Sequence, residues 1–260
     1  GRAIQMTNWY ILCNDSTNMS NSNRNKHISK PFLEIVFDQL YAAYGCQEWW
    51  PADNPFEMAI GAILTQNVSW QNAERAIFTL KNEDLLSPYA LLRTPDDILG
   101  ELIRSSGYFN AKTKKIKAFA YHLVNKHQGE IELMLAQDTS TLRNELLSIH
   151  GIGPETADAI MLYAGEKPVF VVDSYTTRLL IRMGIITHYT AYSDIQNMFH
   201  GSLPQDTALF NEFHALIDNH GKITCKKYRP LCLECTLINL CPSGQQTKEQ
   251  SAINQIQQYG

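Results

Sequence analysis

The stretch LLSIHGIGPETADAIMLYAGEKPVFVVDSYTTRLLIRMG, residues 146–184, decides the fold. Gly151 and Gly153 separate two segments whose apolar residues recur at helical intervals, and Pro154 suits the first position of the second helix. Two glycines one residue apart allow a tight turn with outward-facing N–H groups, and the next helix adds the positive end of its dipole. The stretch therefore predicts a helix–hairpin–helix that seats a phosphate, although a G-x-G turn alone is a weak signal.

Asp173 is the most prominent acidic residue downstream of the hairpin. It follows Gly153 by twenty residues, ends the apolar run Val169–Val172 and precedes a helical segment. An aspartate in this position is often only a helix N-cap, which accepts hydrogen bonds from the first turn. A cap also holds a carboxylate rigid and ionised, so capping is compatible with a catalytic role.

Four of the six cysteines lie close together near the C-terminus, with the spacing Cys225-x6-Cys232-x2-Cys235-x5-Cys241. Because no secretion signal accompanies them, a metal site in a reducing compartment is favoured over a disulfide framework. Four thiolates can hold zinc or a [4Fe–4S] cluster. Zinc ribbons usually have two short Cys-x2-Cys knuckles and this chain has one, so the spacing favours iron–sulfur and leaves zinc as the alternative.

Helical periodicity runs through most of the chain from Asn54 onward, and few segments alternate as strands do, which predicts an all-α fold with two lobes. The predicted parts are a disordered or appended extension over 1–30, a six-helix barrel-like domain with the hairpin over 47–166, a cysteine-cluster domain over 31–46 and 167–245, and a loosely ordered tail over 246–260.

The formal charge of −4 argues against indiscriminate nucleic-acid binding, and no apolar run is long enough to span a membrane. Two windows without acidic residues could still hold phosphate, or could be ordinary solvated faces. The first window carries Arg104, Lys112, Lys114, Lys115, Lys117 and Lys126, and the second carries Lys222, Lys226, Lys227 and Arg229.

The hairpin, the distance to the V-V-D sequence and the cysteine spacing together resemble the endonuclease III branch of the helix-hairpin-helix DNA glycosylases, over residues 31–243. The resemblance implies that Asp173 is the catalytic carboxylate and that the four cysteines hold a [4Fe–4S] cluster. Bifunctional members carry a lysine at the second residue after the last hairpin glycine, where this chain has Glu155. A carboxylate cannot form an imine, so base excision without strand cleavage is expected.

Further motifs, W-W-P-A at 49–52, F-E-x-x-I-G at 56–61 and L-T-Q-N at 64–67, resemble the 3-methyladenine DNA glycosylase III and methylpurine glycosylase II subgroup. This resemblance implies excision of alkylated purines by base flipping. It implies a base pocket of Trp50, Pro51 and Trp70, with Trp49 beside them, although core packing is the alternative for the tryptophans. The implied DNA contacts are Gln66, Tyr108, Asn110, Gly151, Gly153 and Thr156.

The expected partner is double-stranded DNA that contains a damaged base, in base excision repair. We expect a monomer in the cytoplasm of a bacterium or archaeon, associated with the nucleoid. Two alternatives remain open: a glycosylase for oxidised pyrimidines or mismatched thymine or uracil, and a module that binds damaged DNA without catalysis.

Overall fold

The computed structural model describes residues 32–259, with side-chain surroundings through residue 254. Within that range it contains helices and loops and no strand, which confirms the all-α prediction. The extension expected over 1–30 lies outside the described residues. No helix in the described range is both long and apolar enough to cross a membrane.

The α-helices of the described range follow one another with short connections. In chain order they are α1 (Phe32–Tyr44), α2 (Pro55–Leu64), α3 (Trp70–Asn82), α4 (Pro88–Arg93), α5 (Asp96–Leu102), α6 (Phe109–His127), α7 (Ile131–Leu135), α8 (Thr139–Ser148), α9 (Pro154–Ala159), α10 (Ser174–Arg182), α11 (Tyr192–Ser202), α12 (Thr207–Ile223) and α13 (Pro242–Tyr259). Single 3₁₀ turns occupy Arg104–Ser106, Cys232–Glu234 and Ile238–Leu240, and a π-helical turn, Ile160–Ala164, continues α9.

The chain forms two compact units. One is Trp50–Val171 and the other combines the described parts of Gly1–Trp49 and Val172–Gly260. The boundaries predicted for the barrel-like domain, 47 and 166, lie a few residues from these. The chain passes from one unit to the other next to Trp49 and again next to Asp173.

In the unit Trp50–Val171, α2 is the central helix. Every residue from Phe56 to Leu64 is buried, as expected for a helix that is apolar on all sides. Asn54 caps its N-terminus by accepting a hydrogen bond from Glu57 N, and Pro55 takes the first helical position. α3, α6 and the π-helical turn pack around α2, so the hairpin that precedes this turn is anchored in the core of the unit.

In the other unit, α12 packs against α1 and α10. Its Phe213 ring meets Phe37 of α1 at 5.4 Å and Phe199 of α11 at 5.6 Å between centroids, both edge-on. This aromatic core holds α12 beside the N-terminus of α10, where Asp173 lies.

The C-terminal segment differs from the sequence expectation. A loosely ordered tail was expected over 246–260, whereas residues up to Tyr259 belong to α13. Pro242 at the start and the six Gln residues favour a helix, and α13 packs on the two 3₁₀ turns of the cysteine loop.

Candidate functional site

The hairpin requires glycine at position 151 for two reasons. Gly151 has φ +85°, which side chains rarely adopt. The side chain of Lys115 also crosses directly above it, and a Cβ at this position would lie 2.3 Å from Lys115 Cγ. Gly153 is different, because it is the extended N-cap of α9 and a Cβ there would meet open space. The two glycines of the motif therefore serve different purposes.

Two sets of side-chain contacts hold the hairpin in place. Arg143 of α8 donates from Nε and a terminal nitrogen to the fully buried carboxylate of Asp158 on α9, at 2.7 and 3.1 Å. Gln66 Nε2 donates to Gly151 O at 3.0 Å and to Thr156 Oγ1 at 2.9 Å. The helices on either side of the turn are thus tied to each other and to the loop after α2.

These hydrogen bonds occupy the side chains of two residues that were predicted to contact DNA. Both ends of the Gln66 amide are engaged, since Oε1 also accepts from Lys115 Nζ. Gln66 therefore braces the hairpin in this structure, and a contact with DNA would require it to exchange partners. Thr156 is buried with its hydroxyl bonded to Gln66, so only its backbone N–H remains suitable for a phosphate.

A recess beside the hairpin brings Gln66 and Tyr108, two of the predicted DNA contacts, together. Tyr108 has φ +46° and is 73% exposed at the start of α6, and Asn110 next to it is also exposed. The recess is lined by Gln66, Asn67, Tyr108, Ala111, Lys112 and Lys115. An exposed aromatic ring at the rim of a polar recess suits a wedge beside a nucleic-acid base.

An aromatic cluster forms around Trp50. Its ring meets Trp70 edge-on at 4.7 Å and Tyr163 at 5.4 Å between centroids, and all three residues are half-buried. Gly61 of α2 lies against the Trp50 ring, and a Cβ added there would be in ordinary van der Waals contact with it, at 3.5 Å. Pro51 is exposed beside the cluster.

Sequence reasoning missed Tyr163. It lies on the π-helical turn Ile160–Ala164, which rotates the residues after α9 relative to a continuous α-helix. Counting 3.6 residues per turn from Ala157 consequently does not predict which way Tyr163 faces. A π-helical turn just after the hairpin is itself a feature often found at functional sites.

Asp173 is the N-cap of α10, as the sequence predicted. Its Oδ1 accepts from Thr176 N at 2.7 Å, and its backbone carbonyl accepts from Thr177 Oγ1 at 2.9 Å. Oδ2 lies 3.7 Å from Nε2 of His214 on α12, and the aspartate side chain is 12% exposed. The carboxylate is therefore held by one oxygen and remains accessible through a small opening.

Further ionisable groups of α12 surround Asp173, and the sequence analysis did not assign them to the site. His214, Asp218 and Lys222 follow one another at intervals of one helical turn. Burial raises the pKa of Asp218, the Lys222 and His214 charges oppose that rise, and the Asp173 charge adds to it. Lys222 Nζ pairs with Asp218 and lies 5.4 Å from the ring centroid of Trp49, so Trp49 borders this group.

The four predicted cysteine ligands line one cavity, together with apolar residues such as Leu179, Pro230 and Leu237. Burial, with the neighbouring thiols adding to it, raises the pKa of Cys235 to about 11. Arg182 donates to Cys225 Sγ at 3.1 Å and to three backbone carbonyls of the same loop. Four convergent thiols in a mostly apolar shell, with a cationic donor at one sulfur, fit a thiolate-bound metal or cluster.

Fewer cations of the first window are available to bind phosphate than its composition suggests. Lys112 is buried and donates to Leu64 O at 2.7 Å and to Ser106 O at 2.5 Å, so it is not a phosphate contact. Arg104 pairs with Glu101, and Lys117 pairs with Asp96. Lys114 and Lys126 are exposed, as are Lys226, Lys227 and Arg229 in the second window.

Comparisons with known proteins agree with this arrangement. Residues 60–205 match the HhH-GPD superfamily of base excision DNA repair proteins. A candidate DNA repair glycosylase of Methanocaldococcus jannaschii is 44% identical over 80% of this chain and 94% of its own length.

Two solved structures share the fold. A trapped covalent intermediate of endonuclease III with DNA aligns with a TM-score of 0.72 at 22% identity, over 83% of this chain and 97% of the other. The 3-methyladenine DNA glycosylase MagIII of H. pylori, bound to 1,N6-ethenoadenine, aligns with a TM-score of 0.65 at 27% identity, over 73% and 97% of the two chains. The chain therefore belongs to the HhH-GPD superfamily of base excision DNA repair proteins, and is an endonuclease III-like DNA glycosylase.

Proposed function

We propose that this glycosylase excises alkylated purines, such as 3-methyladenine and 7-methylguanine, from duplex DNA and does not cleave the strand. The observation that carries the proposal is the aromatic cluster of Trp50, Trp70 and Tyr163. N3- and N7-methylated purines are cationic, and cations are attracted to the faces of indole and phenol rings. The similarity to an H. pylori enzyme solved with 1,N6-ethenoadenine supports a purine adduct as ligand.

Asp173 supplies the catalytic charge in this proposal. Departure of the base leaves positive charge on the deoxyribose, and a fixed carboxylate next to C1′ stabilises that charge or orients the attacking water. The cap bond from Thr176 N holds Oδ1, which leaves Oδ2 for the sugar or the water. A cationic base is already a good leaving group, so no second acid is required.

The absence of strand cleavage rests on the residues near the hairpin and Asp173. Glu155 occupies the position at which a nucleophilic lysine is expected, and it is exposed in the first turn of α9. Lys222 is the lysine among the ionisable groups of α12 beside Asp173, and its ammonium is paired with Asp218. An amine held in an ion pair is a poor nucleophile.

We propose that Cys225, Cys232, Cys235 and Cys241 hold a [4Fe–4S] cluster. Hydrolysis of a glycosidic bond needs no electrons, so the cluster would fold the loop and present its cations to the DNA backbone. Arg182 would stabilise the thiolate of Cys225. Iron analysis and the thiolate-to-iron absorption of the purified chain test this assignment, and zinc in place of iron would contradict it.

The released-base profile tests the substrate class. Duplex DNA treated with a methylating agent is incubated with the wild-type chain, and the free bases are identified by mass spectrometry. Release of methylated purines that is lost in Asp173→Asn supports the proposal. Release of thymine glycol or mismatched thymine in parallel incubations, without methylpurines, would instead favour the endonuclease III-like alternative.

Two variants make the test specific. Trp50→Ala should lower kcat/KM about tenfold, since a cation–π contact contributes on the order of 1–2 kcal/mol. Tyr121→Ala removes an aromatic residue that is 63% exposed on α6 and should leave release unchanged. Borohydride trapping tests the lyase prediction: wild type should give no covalent adduct, and a wild-type adduct that disappears in Lys222→Gln would assign that lysine instead.

A further inference from the structure

A cluster of two histidines and a glutamate lies in the unit Trp50–Val171, apart from the residues discussed so far. His122 and His127 are on the C-terminal half of α6, and Glu145 is on α8. Their donor atoms all lie within 4.8 Å of one another. The three side chains are between 13% and 18% exposed, so they are mostly withdrawn from solvent.

The cluster has a common focus. Nε2 of His122 and Nε2 of His127 each lie 2.5 Å from the same oxygen of Glu145, Oε1. The two imidazole rings stand 6.0 Å apart at an angle of 40°, so they do not stack and both nitrogens point at one place. Two imidazole nitrogens and one carboxylate oxygen that converge from two helices form a typical three-residue ligand set for a borderline divalent metal.

The other oxygen of Glu145 is also held. Gln137 Nε2 donates to Oε2 at 2.5 Å, and the same amide donates to Met134 O. Burial alone would raise the pKa of Glu145, but the hydrogen bonds from Gln137, His122 and His127 lower it to about 2. A carboxylate with one oxygen directed at the focus and the other oriented by an outer hydrogen bond is the arrangement found around metal-bound carboxylates.

We propose that His122, His127 and Glu145 bind a single Zn²⁺-like divalent cation, with water completing its coordination. The ion replaces the histidine–glutamate hydrogen bonds, so each Nε2 presents its lone pair to the metal. Nitrogen-rich ligands favour zinc, nickel, cobalt or copper over magnesium or calcium.

The site connects the end of α6 to the helix that leads into the hairpin. Arg143, two residues before Glu145, makes the ion pair with Asp158 on the other side of the turn. A cation at the cluster therefore cross-links α6 and α8 close to the point at which the hairpin begins. It adds a structural support to that segment and does not enter the glycosidic reaction.

Zinc titration of the full-length chain by calorimetry tests the site, with iron content measured beforehand because the cysteines also bind zinc. Wild type should bind one zinc equivalent more than His122→Gln/His127→Gln. Glu145→Gln should lower the zinc affinity of this site at least about 100-fold, because replacing a residue that only hydrogen-bonds to a ligand already lowers affinity by up to about 100-fold. His188→Gln, which removes an exposed histidine elsewhere, should match wild type. Equal stoichiometry and affinity in wild type and the double variant would overturn the proposal.

A second measurement avoids the risk that a variant does not fold. Diethyl pyrocarbonate modifies accessible imidazoles, and peptide mass spectrometry identifies the modified residues. Zinc should protect His122 and His127 in the wild-type chain and leave His188 reactive. Unchanged modification of His122 and His127 at saturating zinc would also overturn the proposal. Neither measurement depends on base release, so the two proposals fail separately.

Discussion

Replacement of Gly151 by alanine should destabilise the hairpin much more than the same replacement of Gly153. At Gly151, with φ +85°, a side chain costs about 1–2 kcal/mol in backbone strain. The new Cβ would also lie 2.3 Å from Lys115 Cγ, so the lysine must move away. Its contact with Gln66 is then lost, and a hydrogen bond to a charged group contributes about 1.5–3 kcal/mol.

The two effects together predict a loss of about 2.5–5 kcal/mol for Gly151→Ala. Gly153 has φ −95°, and a Cβ added to it would have no neighbouring atom within 4 Å, so Gly153→Ala should change stability by less than about 0.5 kcal/mol. The loss expected for Gly151→Ala lowers the Tm of a protein of this length by roughly 5–20 °C. Thermal unfolding followed by circular dichroism measures both variants.

A double variant separates strain from collision. In a Lys115→Ala background the collision is absent, so Gly151→Ala should cost only the backbone term of about 1–2 kcal/mol. Equal effects of the two glycine replacements would refute the reasoning. So would a cost of Gly151→Ala that does not depend on residue 115.

Three further predictions concern buried charges and the site. Burial lowers the pKa of Lys112 to about 8, so the folded chain loses this proton more readily than the unfolded chain does. The stability of the wild type relative to Lys112→Met should therefore rise by about 1–3 kcal/mol between pH 8 and 10.5. Urea titrations at several pH values measure this difference, and a fall with rising pH would contradict the prediction. Arg143→Met leaves the buried Asp158 without its bidentate partner and should cost on the order of 3 kcal/mol, part of which Asp158→Asn should restore in the double variant, as measured by the same titrations. His214→Ala should lower kcat about tenfold with little change in KM, because His214 positions Asp173 and does not bind the base. His214→Gln should recover most of the rate. Equal losses in both variants would indicate a merely structural role.

The sequence predicted the elements of the fold better than the contacts of single side chains. The cap role of Asp173 and the turn at Gly151 follow from local backbone rules, and both are confirmed. Gln66 and Thr156 were predicted as DNA contacts, but which partners their side chains choose depends on three helices meeting in space. Such a choice leaves no periodic signal along the chain.

Two other differences have specific causes. Lys112 looked like part of a cationic face, whereas its ammonium satisfies the carbonyl of Leu64 at the end of α2, a need that only the packed structure reveals. The histidines of α6 likewise showed no recognisable ligand spacing, because Glu145 reaches them from another helix. Sites assembled across elements are therefore the ones that sequence reading misses.

The geometry of Asp173 explains why one substitution can test its chemistry without disturbing the fold. Oδ1 caps α10 through Thr176 N, and an asparagine oxygen can make the same bond, whereas the amide that replaces Oδ2 carries no charge. Asp173→Asn should thus retain stability and DNA binding while base release is abolished. Asp173→Ala removes the cap as well and should cost an additional 0.5–2 kcal/mol, roughly the usual contribution of such a residue. If asparagine supported release at the wild-type rate, the stabilising charge would have to come from a different group.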